Sequence, residues 1–479
     1  MTPRPPAGGR HARRAAPAHA RADSPPALAF VTLGCPKNTV DSEHMLGMLV
    51  QSGFRTVADP AAADVCVVNT CAFLQSAVRE SRDTIAQLAE LKRTRQLRGL
   101  IVTGCLAQRA GDSLLTDFPD VDAVLGTGQW SGVVEAARHV LAGSNERFAS
   151  TAAPGGALDP DAPRVLSTPR HLAYLKISEG CDHRCTFCVI PQLRGDQKSR
   201  SIEDLVAAAR DLARHGVREV NLIGQDTTGY GTDLPGKPTL SDLLEALDTI
   251  EELAWIRVQY TYPRLWSDRL IETWARAKRV VPYVDMPLQH IAANPLRRMA
   301  RAMTGTETRE LIRRIKRGIP GVALRTNFIV GFPGETDADF EELMSYVAEE
   351  PFDHLVVFAY EREPGTPSHE MTPRVPLNVR RHRRAQLLAH QQRLSRDRLS
   401  GWIGRTIPVM VDAPAGRGQW SARTAGQAFE VDGGVVVEGE GLEPGAVVPV
   451  RITGSAAYDL FARVEKRVDT GLHIVGGRS

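Results

Sequence analysis

Three cysteines stand close together in the run EGCDHRCTFC, at Cys181, Cys185 and Cys188, with the spacing C-x3-C-x2-C. Thiolates gathered on one loop suit a metal centre. A four-iron cluster held by three cysteines keeps an open coordination position on which a substrate group can be chelated, whereas a ferredoxin cluster uses four. Zinc is the alternative, and it needs a fourth protein ligand, for which His183 stands in the same loop. The triplet favours iron–sulfur. Three further cysteines, Cys35 in LGCPKN, Cys71 in NTCAF and Cys105 in TGCLAQR, each follow a short apolar run. A lone cysteine is usually a small buried apolar residue, but three at equivalent positions point to a second set of ligands. Cys66 lies inside DVCVV, where packing is the expected role. The odd total of seven argues against a disulfide framework and for reduced thiols or metal ligands in a cytoplasmic protein.

The elements that must position these thiols read as alternating strands and helices, an α/β multidomain chain. Strands are expected at 28–33, 65–68, 100–103 and 121–125, with helices at 41–51 and 73–92, forming an open parallel sheet. Ligands in such sheets gather outside the carboxyl ends of strands, so Cys35, Cys71 and Cys105 should converge there. A second series, at 220–223, 256–260, 283–286, 324–330 and 355–359, predicts a closed or partial β/α barrel with its site at the strand ends. A Rossmann sheet is the runner-up, but no G-x-G-x-x-G loop follows a strand. Beyond residue 401, short strands at 407–411, 429–431, 435–437 and 447–452 between Gly and Pro turns predict a small antiparallel β-barrel. The expected plan is a disordered tail at 1–26, a first domain at 27–141, a linker at 142–162 and a central domain at 163–375. A basic connecting helix at 376–400, a barrel at 401–468 and a tail at 469–479 complete it.

Polar and glycine residues at the central strand ends are the cofactor-binding candidates. Gly224 and Gly331 would let the backbone approach a nucleotide, or simply turn the chain. Glu335 would meet a cationic group, or cap a helix starting near Asp337. Gln225, Tyr260 and His290 are expected on the same rim, and Arg194 and Arg200 would pair with a carboxylate.

Around the triplet, SEGCDHRCTFCVIPQLRG resembles the signature of the radical S-adenosylmethionine methylthiotransferases. The upstream trio resembles the auxiliary-cluster domain of that family, and GQDTTGYG, YTYP, DMPLQH and NFIVGFPGET extend the likeness over about 28–468. The resemblance implies a partial radical-enzyme barrel, a C-terminal TRAM domain and two 4Fe-4S clusters. Cys181, Cys185 and Cys188 would hold one cluster, which binds S-adenosylmethionine and generates a 5′-deoxyadenosyl radical. Cys35, Cys71 and Cys105 would hold the other, which presents sulfur, and a second S-adenosylmethionine would provide the methyl group. An unactivated C–H bond resists acid–base catalysis, so the cofactors must carry the hard step.

Charge bears on the substrate. With 59 Lys and Arg against 56 Asp and Glu, the chain is nearly neutral, and bulk attraction to nucleic acid is not indicated. Residues 401–468 hold seven cations and eight anions, which leaves no electrostatic footprint for RNA and suits a basic protein. The motifs likewise resemble the ribosomal-protein branch of the family more than its transfer-RNA branch. The expected reaction is methylthiolation of an aspartate β-carbon in protein twelve of the small ribosomal subunit. Expected partners are that protein, a reductant such as flavodoxin or ferredoxin and a sulfur donor, with no membrane. The alternatives are methylthiolation of a transfer-RNA adenosine, methyl transfer without sulfur, and a non-catalytic metal-binding module for RNA or protein. No apolar run approaches the roughly 18 residues of a membrane span. The tail at 1–26 is too poor in large apolar side chains to fold, and it lacks the apolar stretch of a secretory signal.

Overall fold

Runs rich in valine with no polar interruption are strands buried on both faces. In the computed structural model, which describes residues 24–144, 146–152, 154 and 162–465, Val65–Thr70 is buried at every position. It is the third strand of a parallel sheet made of β1 (Ala27–Thr32), β2 (Arg55–Thr56), β3 (Val65–Thr70), β4 (Gly99–Gly104), β5 (Ala123–Leu125) and β6 (Phe148–Ser150), in the order β2-β1-β3-β4-β5-β6. Two expectations shift here. The first helix runs Pro36–Gln51, not 41–51, because Pro36 presets φ at the first helical position and lacks the N–H that a helix start leaves unpaired. The stretch 142–162 is not wholly a linker, since β6 pairs with β5 as an edge strand. The tails at 1–26 and 469–479 lie outside the described residues, apart from 24–26.

The central domain starts with β7 (Leu172–Lys176) and a two-stranded hairpin, β8 (Ser178–Glu179) with β9 (Lys198–Ser199). It continues through β10 (Glu219–Ile223), β11 (Trp255–Val258), β12 (Val280–Asp285), β13 (Ala323–Val330) and β14 (His354–Ala359). The six long strands pair in parallel in the order β14-β13-β12-β11-β10-β7, and β14 does not return to β7, so the barrel is open. Helices cover the outer face: Leu205, Ala209 and Leu212 of the helix Ile202–Arg214 recur at helical spacing and enter the core.

The helix Leu377–Ser400 leads into a closed barrel of β15 (Thr406–Gly416), β16 (Gln419–Arg423), β17 (Val435–Glu438), β18 (Val447–Ser455) and β19 (Leu460–Val464). Leu387 of that helix joins the central core and Leu399 the barrel core, which ties the two together. The expected strand at 429–431 is instead a turn: Glu430 takes a φ of 61°, and Asp432 accepts hydrogen bonds from the Ala428 N–H (2.9 Å) and the Tyr283 hydroxyl (2.8 Å). Strands β16 and β19 were not anticipated, and β17 pairs with β19 in parallel, so the barrel is not purely antiparallel.

The barrel docks through buried charge. Arg423 reaches Glu219 of β10 (2.7 Å) and Asp412 (2.8 Å), Arg257 of β11 holds the same Glu219 (2.8 Å), and His171 meets Asp412 (3.0 Å). Burial alone would raise the Glu219 carboxyl, but Arg423 and Arg257 together bring it below its ordinary range. These seam charges do not face solvent. Among the described barrel residues, the exposed charges are Arg405, Arg417, Arg451 and Arg463 against Glu430, Glu438, Glu440, Glu443, Asp459 and Glu465, a surface without a basic excess.

Candidate active site

Cys35, Cys71 and Cys105 sit just beyond the carboxyl ends of β1, β3 and β4. Cys35 is the N-cap of the helix Pro36–Gln51. Two glycines make the convergence possible. A Cβ on Gly34, whose φ is +97°, would lie 2.8 Å from Cβ of Cys71, and one on Gly104, at φ +92°, would lie 2.2 Å from Asn69 Oδ1. Asn38 ties the strand ends together by donating to the carbonyls of Leu33 (2.8 Å) and Thr70 (3.0 Å). Ser81 both accepts from and donates to the backbone of Cys71, at 3.0 and 2.9 Å. Burial, with Cys105 and Cys35 adding to it, pushes the Cys71 thiol up to about 12, so the three thiols share one electrostatic neighbourhood.

The triplet is held by its own loop, where the Cys181 N–H donates to Gly195 (3.0 Å) and the Cys188 N–H to Cys185 (3.1 Å). Burial raises Cys181 to about 11 and Cys188 to about 12, with the triplet's other thiols adding to each shift. The proposed fourth zinc ligand is otherwise engaged: His183 stacks on Tyr262 with centroids 3.7 Å apart, and its Nε2 lies 2.7 Å from Asp226. Arg301 lies over the other side of this group, 4.1 Å from the Tyr262 centroid, with Nη1 3.7 Å from Cys185 Sγ.

Both trios open onto one cavity of about 730 Å³, whose walls include Lys37, Arg194, Gln225, Tyr260, Asp285 and Arg325. Among the described residues, no three Cys, His, Asp or Glu side chains converge on a position for a single ion. Three thiols in each set, bordering a roomy cavity and with His183 engaged elsewhere, suit a polynuclear cluster with one open metal position.

Between the first two domains lies a buried charge network. Arg194 reaches Asp41 (2.7 Å), Glu179 (3.1 Å) and Asn38 (2.5 Å), while Lys176 reaches Glu179 (2.6 Å) and also Asp41. Gln225 donates to the second oxygen of Glu179 at 2.6 Å. Burial would raise the Glu179 carboxyl, but Arg194 and Lys176 hold it at about 2. Arg194, expected to meet a ligand carboxylate, therefore has carboxylates of its own chain.

Gln225 and Tyr260 line the cavity, as do all six cysteines of the two sets. The other cofactor-binding candidates stand behind its wall. Arg200 pairs with Asp204 (2.6 Å). A Cβ on Gly224 would meet Ser178 Oγ at 2.6 Å, and one on Gly331 the Arg380 side chain at 2.0 Å, so each glycine makes room for the protein's own atoms. The His290 Nδ1 accepts from the Ala292 N–H (3.0 Å), and Glu335 takes the N–H groups of Gly331 (2.7 Å) and Phe332 (3.2 Å) and pairs with Arg383 (2.6 Å). The helix Asp337–Glu349 is capped by Thr336, not Glu335. Lys37, Asp285, Arg301 and Arg325 were missed. For Lys37 a signal was available, its place in CPKN directly after a ligand candidate at a helix start.

Comparison with known proteins is consistent with this architecture. Residues 27–126 match the uncharacterized protein family UPF0004, 175–347 the radical SAM superfamily and 403–464 the TRAM domain. The ribosomal protein uS12 methylthiotransferase RimO of Anaeromyxobacter sp. (strain K) is 47% identical over 444 residues, covering 91% of this chain and 92% of its own. The protein of the same name from Myxococcus xanthus (strain DK1622) is 42% identical over 448 residues, covering 93% of each chain. Among solved structures, the radical S-adenosylmethionine methyltransferase TsrM from Kitasatospora setae superposes with a TM-score of 0.53 at 14% identity, over 81% of this chain and 79% of its own, a likeness of fold.

Proposed function

Because the chain belongs to the RimO family of ribosomal protein uS12 methylthiotransferases, we propose that it replaces a hydrogen on the β-carbon of an aspartate in ribosomal protein uS12 with a methylthio group. The observation that carries this reading is the opening of two separate three-thiol sets onto one cavity. Cys181, Cys185 and Cys188 would hold the radical-generating cluster, and Cys35, Cys71 and Cys105 the auxiliary one. When bound, the two 4Fe-4S clusters and S-adenosylmethionine supply the one-electron chemistry that removes the hydrogen, together with the sulfur and the methyl group that replace it.

The chain's own residues orient and enclose. The Asn38–Arg194–Glu179–Gln225 chain of hydrogen bonds runs from the sheet that carries the auxiliary trio to the rim of the central barrel, fixing one thiol set against the other. Arg301 and the stacked His183 and Tyr262 pack beside the triplet and narrow its contact with water.

The described surface of the C-terminal barrel carries no basic excess, which suits a basic ribosomal protein and offers RNA phosphates no electrostatic footprint. That disfavours the transfer-RNA reading, and the paired trios disfavour simple methyl transfer and a purely structural metal module. A flavodoxin- or ferredoxin-type reductant and a sulfur donor complete the reaction in the cytoplasm. Among the described residues no helix is long and apolar enough to cross a membrane. Mass spectrometry after separate incubations of the reconstituted enzyme with uS12 and with bulk transfer RNA tests the reading. A gain of one methylthio group on a uS12 aspartate is expected, and modification of RNA alone would overturn it.

A further inference from the structure

Three arginines of the cavity wall find acceptors within the chain. Arg194 has Asp41 and Glu179, Arg325 has Asp285 (3.0 Å) and Asp432 (3.3 Å), and Arg301 donates to the Pro287 carbonyl (2.8 Å). Lys37 differs. It is only 7% exposed and lines the cavity, yet among the described residues its ammonium makes no hydrogen bond or ion pair. Its neighbour is the face of Tyr260, 2.9 Å from Nζ to the ring centroid.

That placement is unfavourable three times over. The ammonium has left water, and among the described residues no carboxylate pairs with it. It belongs to the first turn of the helix Pro36–Gln51, the positive end of the helix dipole. Contact with an aromatic face recovers only part of the desolvation. The Cys35 thiolate is the strongest charge acting on it, but that sulfur is a proposed cluster ligand, and the carboxylates Asp285 and Glu179 are already taken. Asp285 accepts from Arg325 and from the Tyr260 N–H (3.0 Å), and Glu179 from Lys176, Arg194 and Gln225. A buried cation whose neighbouring anions are all engaged is a place for an anion from outside.

Resting on the function proposed above, we propose that Lys37 recognises the side-chain carboxylate of the substrate aspartate. The β-carbon is bonded directly to that carboxylate carbon. A carboxylate held by Lys37, two residues along the chain from Cys35, therefore brings the carbon to be substituted to the auxiliary end of the cavity. Lys37 then determines specificity for aspartate over asparagine, which has the same shape without the charge.

The test uses enzyme carrying both clusters and two uS12 peptides that differ only in Asp or Asn at the target. Lys37→Met keeps an unbranched chain without the charge, and Lys37→Gln is the second variant should the first fail to fold. The wild type should bind the Asp peptide roughly 10-fold or more tightly than the Asn peptide. Either variant should lose that preference, leaving Asn-peptide binding and S-adenosylmethionine binding unchanged. Equal weakening of both peptides, loss of S-adenosylmethionine affinity, or a shifted potential with the preference intact would each overturn the proposal, by assigning Lys37 to structure or to a cofactor. Wild-type enzyme that binds neither peptide but modifies RNA would overturn the substrate reading, and this proposal with it.

Discussion

Cys181, Cys185 and Cys188 reach the cavity from a single eight-residue loop, whereas Cys35, Cys71 and Cys105 arrive from three strand ends spread over seventy residues of chain. The local set is shaped by a backbone hydrogen bond inside its loop, from Cys188 to Cys185, and by ties from Cys181 to Gly195 and from Thr186 to Met299. The distributed set depends on strand register, on two crowded glycines and on a polar clamp through Asn38 that is completed by Arg194 of the neighbouring domain. Similar coordination chemistry can therefore rest on local sequence in one place and on the whole tertiary structure in another, and the two should fail differently.

The largest effect should come from removing a ligand. Cys185→Ala should lower S-adenosylmethionine cleavage by about 100-fold or more while the auxiliary cluster remains, and Cys71→Ala should abolish sulfur transfer while cleavage continues. Release of 5′-deoxyadenosine, scored beside iron content, checks both; equal loss in the two variants would mean that the sets are not separable. Next, Arg194→Met leaves Asp41 and Glu179 short of a cation, a change of about 3–5 kcal/mol for a broken buried pair. The melting temperature should fall, and auxiliary-cluster occupancy should fall more than that of the triplet. Smaller again, Gly104→Ala puts a side chain on a left-handed residue facing Asn69, at a cost of about 1–3 kcal/mol. It should deplete the auxiliary cluster alone, by absorption and iron count.

The smallest effect should be acid release of the C-terminal barrel. Glu219 and Asp412 are held below their ordinary values of 4.5 and 3.8 despite burial, by arginines and, for Asp412, by His171. The stability they lend is full above those values and is lost as pH falls through the lowered ones. Seam release, read by fluorescence of Trp255, is the expected outcome of acidification through those lowered values, and an undisturbed signal would show that the seam does not depend on them.

The difference between local and distributed sets also decides what was legible in the sequence. A short cysteine spacing names its chemistry without any fold, and buried valine runs name their strands. The upstream trio could be inferred because three cysteines shared one position relative to three strands. Beyond that, a glycine at a strand end reads the same whether it admits a nucleotide or the Arg380 side chain, as at Gly331. Arg325 and Asp285 meet across neighbouring strands far apart in sequence, and no periodicity announces such a pair. Asp412, Arg423 and Asp432 entered the barrel's charge count as surface residues, yet they are buried in a seam that only docking creates.

The turn that replaced the expected strand at 429–431 has its own consequence. Asp432 pins it to β12 and β13, and the adjacent Val431 lines the reaction cavity. The C-terminal barrel thus supplies part of the chamber floor, and its detachment would admit solvent from below. Under the proposed reaction, a radical formed there would then be open to dioxygen and to solvent-borne reductant before it reached the substrate. The signature of a loosened barrel is then uncoupling, with S-adenosylmethionine consumed in excess of product, and not simply weaker capture of the partner protein.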